Sequence, residues 1–204
     1  MLTLDKILIE QDDFSLSADF AIAETARVAL LGASGAGKST LLSTLAGFLA
    51  PSRGRVLWRD TNITDLAPGA RPLSILFQDQ NLFPHLSVAQ NLGLGISPKL
   101  RLARADHAKI AAALDRVGLS GLGDRRPATL SGGQQSRVAL ARCLLRAKPL
   151  LLLDEPFAAL GPALKSDMLA LVAEIATEQQ ATVLMVSHDP ADALALCPHT
   201  VLVA

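Results

Sequence analysis

The chain has no tyrosine, a single tryptophan and only 3% aromatic residues in total. Its 204 residues contain 19 Lys plus Arg and 19 Asp plus Glu, so the formal net charge is zero. This balance argues against a protein that is held to nucleic acid by bulk positive charge, although it leaves local phosphate sites open. We therefore expect no nucleic acid partner.

Cysteine and long apolar runs are also scarce. Cys143 and Cys197 lack the CxxC or Cys/His spacing of a metal site, so we expect two reduced, buried thiols, as in a cytosolic protein. The N-terminal sequence MLTLDKILIEQDD contains acids and no long apolar stretch, so no signal peptide is expected. No apolar run approaches the ~20 residues that a membrane-spanning helix needs.

Short apolar runs alternate with longer helical patterns along most of the chain. Residues 2–9 and 14–23 alternate loosely between apolar and polar, which is typical of antiparallel strands. The other predicted strands are 27–32, 54–58, 73–77, 150–153, 182–186 and 200–203, and the predicted helices are 38–49, 87–95, 103–118, 132–147, 162–178 and 190–196. This alternation predicts an α/β fold with a mainly parallel sheet covered on both faces. Residues 84–130 contain helical patterns only and predict a helical subdomain, which is inserted into a core built from 1–83 and 131–204.

The sequence GASGAGKST, residues 32–40, fits the pattern GxxxxGK[ST] between a predicted strand and a predicted helix. Its glycines allow unusual backbone angles, so that successive N–H groups can surround phosphate oxygens at a helix N-terminus. Lys38 would place its charge on the β- and γ-phosphates, Ser39 would bind Mg²⁺, and Thr40 would reach a more internal phosphate. The candidate ATP-binding residues of this loop are Gly32, Ala33, Ser34, Gly35, Ala36, Gly37, Lys38, Ser39 and Thr40.

The sequence LLLLDE, residues 150–155, ends a predicted buried strand in two acids. Asp154 fits the aspartate that a strand end brings to the Mg²⁺ shell of P-loop enzymes. Glu155 would point to the other side and could polarise an attacking water as a general base. A core strand with solvated acids at its end would look the same in isolation, but the phosphate loop upstream favours a nucleotide site.

The sequence LSGGQQSR, residues 130–137, begins another predicted helix with Ser131, Gly132, Gly133 and Gln134. A helix N-terminus of this kind can bind an anion. It can equally be a capping box, in which Ser131 and Gln134 satisfy the end of the helix. One nucleotide has no obvious need of two phosphate-binding loops within one chain.

These motifs, in this order over essentially the whole chain, resemble the ATP-binding cassette family of transporter ATPases. The resemblance adds a Q-loop residue, Gln78 in LFQDQ, a D-loop around 158–162, and a switch histidine, His188 in MVSHD. It implies a head-to-tail dimer with a second copy of the chain. Each ATP is then held by residues 32–40 of one subunit and, in trans, by residues 131–134 of the other.

The resemblance also implies how ATP is hydrolysed. Water attacks the γ-phosphate in line, and catalysis depends on positioning and charge stabilisation. Glu155 is the general base, while His188 hydrogen-bonds the γ-phosphate and orients Glu155. The implied catalytic residues are Glu155, His188, Gln78 and Lys38, and the implied Mg²⁺ ligands are Ser39, Gln78 and Asp154.

Within the family, residues 71–94 resemble the importer ATPases, and most closely those of bacterial thiamine importers. This implies a transmembrane permease that contacts residues 78–94, an indirect partnership with a periplasmic solute-binding protein, and a peripheral location on the cytoplasmic face of the inner membrane. Residues 83–86 would receive the permease, although this apolar group could instead belong to the core of the helical subdomain. Thiamine is implied by the resemblance alone, because no cassette residue is expected to touch the solute.

The sequence departs from the family pattern at three places. The D-loop carries Ala158 and Gly161 in place of the usual Ser and Asp. That Asp normally spans the dimer interface, and glycine is also expected to loosen the turn before Pro162. Adenine usually stacks on an aromatic residue, often Tyr, for which Phe14 is the nearest candidate. The chain also ends at Ala204, where typical cassettes continue with a hairpin and a helix, so the C-terminus could be naturally short or cut.

These departures leave alternatives open. The chain could be a cassette that binds ATP with weak or regulatory turnover, or the importer ATPase for another small solute. The cassette ATPases of DNA repair or translation usually bring a second cassette, a long coiled coil or basic extensions, and the sequence contains none of them.

Overall fold

The structure is a computed structural model and describes residues 1–79, 81–158 and 160–203. The strands are β1 Leu2–Gln11, β2 Phe14–Ile22, β3 Arg27–Leu31, β4 Arg53–Trp58, β5 Thr61–Asn62, β6 Leu73–Leu76, β7 Leu150–Asp154, β8 Thr182–Val186 and β9 His199–Leu202. The helices are α1 Lys38–Ala46, α2 Val88–Ile96, α3 Arg104–Arg116, α4 Gly132–Leu145, α5 Pro162–Glu178 and α6 Pro190–Leu196. Every predicted strand and helix is present, and the described residues also contain the short β5 and two single-turn 3₁₀ helices, Pro68–Ala70 and Pro127–Thr129, which were not predicted.

Five strands form a parallel sheet in the order β6-β7-β8-β3-β9, which confirms the predicted α/β fold. Residues 150–153 of β7 are all buried, as expected for a central strand that is covered on both faces. Because parallel strands end at the same edge of a sheet, the loops after β3, β6, β7 and β8 lie close together. These loops carry the predicted phosphate loop, Gln78, Glu155 and His188.

The N-terminal strands form a separate antiparallel sheet in the order β2-β1-β4-β5, as the alternating pattern predicted. Its buried face shares one core with α1 and with part of the parallel sheet. Leu2 and Leu4 of β1 and Leu42 of α1 are fully buried in this core. This packing fixes the start of β2, and therefore Phe14, against the beginning of α1.

Helix α4 separates two further groups of buried residues. Ala139 and Leu140 pack in the core shared with α5 and α6, whereas Val138 and Ala141 pack with α2 and α3. The helical patterns of 84–130 are thus present as α2 and α3. The division of the chain into a core and an inserted subdomain at 84–130 stays a prediction.

Both cysteines are buried and free, as the sequence suggested. Burial raises the pKa of Cys143 to about 11 and that of Cys197 to about 12, which keeps both thiols protonated and unreactive at neutral pH. Within residues 1–79, 81–158 and 160–203, no helix is long and apolar enough to cross a membrane.

Candidate active site

The phosphate loop lies between β3 and α1 and leaves the N-terminus of α1 open. No side chain caps that helix, so its first N–H groups are available to a ligand. Gly35 and Gly37 have φ of +82° and +90°, in the left-handed region that favours glycine. A Cβ on Gly37 would lie 2.4 Å from Cζ of Phe14, so the loop also packs too tightly there for any side chain.

The Lys38 side chain is held across this loop. It is only 6% exposed, and its Nζ donates hydrogen bonds of 2.8 Å to the carbonyl oxygens of Gly32 and Ala33. The ammonium group is therefore fixed above the open helix end before any nucleotide arrives. A fixed positive charge beside free N–H groups suits the phosphates of a nucleotide.

Ser39 and Asp154 meet across the gap between α1 and β7. The Ser39 hydroxyl donates a 2.9 Å hydrogen bond to Oδ1 of Asp154. Burial raises the pKa of the Asp154 carboxyl, and this effect is the largest. The hydrogen bond from Ser39 lowers this pKa and the nearby Glu155 raises it, so that the pKa lies above its ordinary value. A half-buried carboxylate and a hydroxyl are oxygen donors of the kind that Mg²⁺ prefers.

Glu155 and His188 form the other side of the site. Nδ1 of His188 lies 3.0 Å from Oε2 of Glu155. Glu155 directly follows β7 and adopts a φ of 42°, which is uncommon for a residue with a side chain. Its N–H donates to the carbonyl of Val186 at the end of β8, which holds this turn in place.

These groups surround an open cavity of about 450 Å³, a size typical of nucleotide and other small-molecule sites. Phe14, Gln78 and Glu155 line it together with the phosphate loop. The lining residues are Gln11, Phe14, Ser34, Gly35, Gly37, Lys38, Ser39, Thr40, Gln78 and Glu155. His188 is not among them and reaches the site through Glu155.

Gln11 is the lining residue that the sequence did not suggest. It is paired with Phe14 across the turn between β1 and β2. Its approach to the phosphate loop depends on how the antiparallel sheet packs on α1. A lone polar residue at the end of an alternating strand carries no local signal of such a contact.

Residues 131–134 lie away from this cavity, at the start of α4. The predicted capping box is present: Ser131 N–H donates to Oε1 of Gln134 at 3.0 Å, and Gln134 N–H donates to the Ser131 hydroxyl at 3.3 Å. Gly132 is exposed, and a Cβ there would meet nothing within 4 Å. The structure therefore does not bring this helix end to the phosphate loop of the same chain.

Gly161 directly precedes α5 in an ordinary extended conformation, with φ −64° and ψ 156°. Any residue adopts these angles, and a Cβ at this position would meet nothing within 4 Å. The folded turn therefore does not require glycine, and the expectation that glycine loosens it stays a prediction. Ala159, which belongs to the predicted D-loop, lies outside the described residues.

The comparisons with known proteins point to one family. A family model described as "ABC transporter" matches residues 16–158. The thiamine import ATP-binding protein ThiQ of Cereibacter sphaeroides is 64% identical over 204 residues, which is 100% of this chain and 88% of that protein. ThiQ of Jannaschia sp. is 54% identical over 202 residues, or 99% of this chain and 88% of the relative. ThiQ of Yersinia pestis is 50% identical over 203 residues, covering 100% of this chain and 86% of the relative.

Solved structures agree with the sequence comparisons. The ATP-binding cassette MJ0796, described as a dimer in a post-hydrolysis state bound to ADP and Pi, has a TM-score of 0.87 at 27% sequence identity. This match covers 100% of this chain and 94% of that chain. A second dimeric structure of MJ0796, described as a bacterial ABC transporter cassette, gives the same values.

Proposed function

The chain belongs to the ABC transporter family and is an ATP-binding ATPase, and from this premise we propose that it powers the import of a solute, thiamine. The ATPase part of the proposal is carried by the convergence of four loops at one edge of the parallel sheet, whereas thiamine rests on the names of the relatives. These four loops place the phosphate loop, Gln78, Glu155 and His188 in or beside one cavity. The direct test is thiamine uptake that depends on ATP hydrolysis by this chain.

In the proposed mechanism, the oxygen of a water molecule bonds to the γ-phosphorus while the bond from that phosphorus to the bridging oxygen of ADP breaks, so ADP and inorganic phosphate are the products. Glu155 accepts a proton from the attacking water, and its contact with His188 fixes the direction of its carboxylate. Lys38 and the N–H groups of the loop stabilise the negative charge on the phosphate oxygens. Phe14, which lies against Gly37 at the cavity, is proposed to stack on adenine.

Mg²⁺ is proposed as the metal of this site because the available donors fit it. Ser39 and Asp154 offer oxygens 2.9 Å apart, and Gln78 lines the same cavity. When bound, Mg²⁺ would supply positive charge that offsets the negative charge of the phosphates. Ser39, Gln78 and Asp154 would hold it.

Asp154→Asn tests this assignment through stability as well as activity. Because the pKa of Asp154 is raised, the folded protein binds a proton more readily than the unfolded chain, and the charged carboxylate opposes folding at neutral pH. Without nucleotide or metal, the variant should unfold at a higher temperature than wild type at pH 7. The difference should shrink as the pH falls and wild-type Asp154 becomes neutral. Mg²⁺-dependent ATP turnover of the variant should be lost, and wild-type turnover in Asp154→Asn would contradict the assignment.

A second copy of the chain is proposed to complete the site. Residues 131–134 form an exposed helix N-terminus that does not face the phosphate loop of its own chain. In a head-to-tail dimer, this end can reach the γ-phosphate bound by the partner. The capping box does not prevent this, because the open space at Gly132 leaves room for a ligand.

Residues 83–86 are proposed to contact the transmembrane permease, as part of the segment 78–94, in which Gln80 lies outside the described residues. Phe83 is 45% exposed, so the structure favours a contact surface over a core position for this side chain. The fully buried Asn91 holds the loop: its Oδ1 accepts from Phe83 N–H at 2.8 Å, and its Nδ2 donates to the carbonyls of Phe83, Leu86 and Ser87 at 3.0–3.3 Å. A rigid loop loses little entropy when a partner binds.

Phe83→Ser is expected to separate transport from hydrolysis. ATP turnover of the isolated chain should stay within about twofold, because Phe83 does not line the nucleotide cavity. Thiamine uptake by the reconstituted transporter should fall by about tenfold or more, as for a central interface aromatic. The matched control is Leu194→Ser, which removes an apolar side chain that is 81% exposed on α6. Equal effects of the two variants on uptake would contradict the proposed contact.

The solute and location follow from the importer assignment. The relatives are named for thiamine import, and we propose the same solute here. The chain would then act as a peripheral subunit on the cytoplasmic face of the inner membrane, with a periplasmic thiamine-binding protein as indirect partner. An importer for another small solute remains the alternative that the uptake measurement separates.

Gly161 motivates the second alternative, a cassette with weak turnover. Gly161→Asp restores the residue typical of the family, and the backbone accepts it without strain. Asp is also a good N-cap for α5, which has no side-chain cap. If the chain is an efficient ATPase, turnover of Gly161→Asp should stay within about threefold of wild type. Gly161→Ala controls for the loss of glycine alone. About a tenfold rise in ATP turnover with Gly161→Asp, but not with Gly161→Ala, would favour a cassette whose wild-type turnover is weak.

A further inference from the structure

Lys165 lies in the first turn of α5 and reaches two carboxylates at the start of α6. Its Nζ is 3.0 Å from Oδ2 of Asp192 and 3.4 Å from Oδ2 of Asp189. The side chains of Lys165 and Asp192 are only 19% and 17% exposed. Charges that are shielded in this way are screened less by solvent than a surface ion pair.

Stability of α5 alone does not account for a lysine at this place. A cation in the first turn is opposed by the positive end of the helix dipole. The two acids, in contrast, suit the N-terminus of α6, where Asp189 caps the helix and Asp192 lies in the first turn. Lys165 thus joins two helix N-termini that face each other.

The two residues next to His188 in the sequence, Ser187 and Asp189, both contact this ion-pair network. The Ser187 hydroxyl lies 3.3 Å from Oδ2 of Asp192 and accepts a 3.1 Å hydrogen bond from the N–H of Asp189. His188 is the residue between these two anchored neighbours. Its own ring is 61% exposed and contacts Glu155, so little else in its surroundings fixes its direction.

The other end of Lys165 is tied to the D-loop. Its backbone N–H donates a 2.9 Å hydrogen bond to the carbonyl of Gly161, where α5 begins. This is the ordinary helical hydrogen bond of the first turn of α5, so the lysine lies one turn after the D-loop. One side chain connects the start of α5 with the histidine segment.

We propose that Lys165 is a positioning residue for ATP hydrolysis, which holds residues 187–192 so that His188 stays in contact with Glu155. The inference rests on the proposed function, because a contact between His188 and Glu155 matters only if Glu155 activates water. It adds a residue outside the nucleotide cavity to the groups that set the hydrolysis rate.

Three variants test the proposal in the full-length chain. Lys165→Met removes the charge at similar length, Lys165→Arg keeps it, and Arg116→Met is the control. Arg116 also bridges two acids, Glu174 and Glu178, but away from His188. Lys165→Met should lower kcat at least about fivefold with KM within about twofold, since displaced catalytic groups reduce turnover more than binding. Lys165→Arg should retain most of the wild-type kcat, and Arg116→Met should match wild type.

A measurement without nucleotide separates this inference from the proposed function. The chain has four histidines, so the His188 ring signal can be assigned by ¹³C–¹H NMR with a His188→Gln sample. Lys165→Met should shift this signal, whereas Lys165→Arg and Arg116→Met should leave it in place. If Lys165→Met does not fold, Lys165→Gln takes its place in both measurements. If Lys165→Met left both the His188 signal and kcat unchanged in an active enzyme, the role of Lys165 would be overturned. A wild-type chain without ATP turnover would instead overturn the proposed function.

Discussion

Glu155→Gln is expected to lower steady-state ATP turnover by about 10²–10⁴-fold while leaving ATP binding intact. Glutamine has the same shape as glutamate but cannot accept a proton from water. Its amide can still lie beside His188, which is 3.0 Å from Glu155, so the geometry of the site is preserved. Binding should persist because the phosphate loop and Lys38 are unchanged.

Phosphate release measures the loss of turnover. Size-exclusion chromatography in MgATP measures whether an ATP-bound dimer accumulates. Since ATP is bound but not cleaved, Glu155→Gln should accumulate as an ATP-bound dimer that wild type forms only briefly. Glu174→Gln, which changes an exposed acid of α5, should behave as wild type in both assays. Normal turnover by Glu155→Gln would remove Glu155 from the role of general base.

Lys38→Met and Gly132→Glu are each expected to abolish turnover and, when mixed, to restore part of it. Lys38→Met removes the ammonium group that the loop holds at 2.8 Å from two carbonyls, and ATP affinity should fall by about tenfold or more. Gly132→Glu places a negative charge where the partner's γ-phosphate is proposed to lie. The acid fits open space and suits a helix N-terminus, so this variant should fold normally.

The mixture distinguishes a composite site from a site within one chain. In a mixed head-to-tail dimer, one site carries both changes and the other carries neither. If half of the dimers are mixed and the sites act independently, turnover should recover to about a quarter of wild type. Exchange of subunits is checked with affinity-tagged Lys38→Met, which should retain untagged Gly132→Glu on the resin after mixing. No recovery, with subunit exchange demonstrated, would contradict the composite site.

Much of the fold follows from the periodicity of the sequence. The uninterrupted leucines at 150–153 predict a strand buried on both faces, and the structure has β7 there, between β6 and β8 in the parallel sheet. The glycines and Lys38 of the phosphate loop stand next to each other in sequence, so their arrangement is a local property. The same holds for the capping box of Ser131 and Gln134.

Other features depend on distant segments and could not be predicted. Gln11 reaches the cavity because the antiparallel sheet packs on α1, and no pattern around it reports that packing. The contact of Lys165 with Asp192 joins residues that are 27 positions apart through the relative placement of α5 and α6. For Gly161, the sequence suggested a loosened turn, but its angles are those of any extended residue.

Thiamine uptake by the reconstituted transporter tests the central claim most directly. The chain would be combined with its permease and periplasmic binding protein in proteoliposomes, with MgATP inside and labelled thiamine outside. The account predicts thiamine accumulation with the wild-type chain and none above background with Glu155→Gln. Accumulation that is equal with Glu155→Gln, or an absence of thiamine uptake by a transporter that hydrolyses ATP, would contradict it.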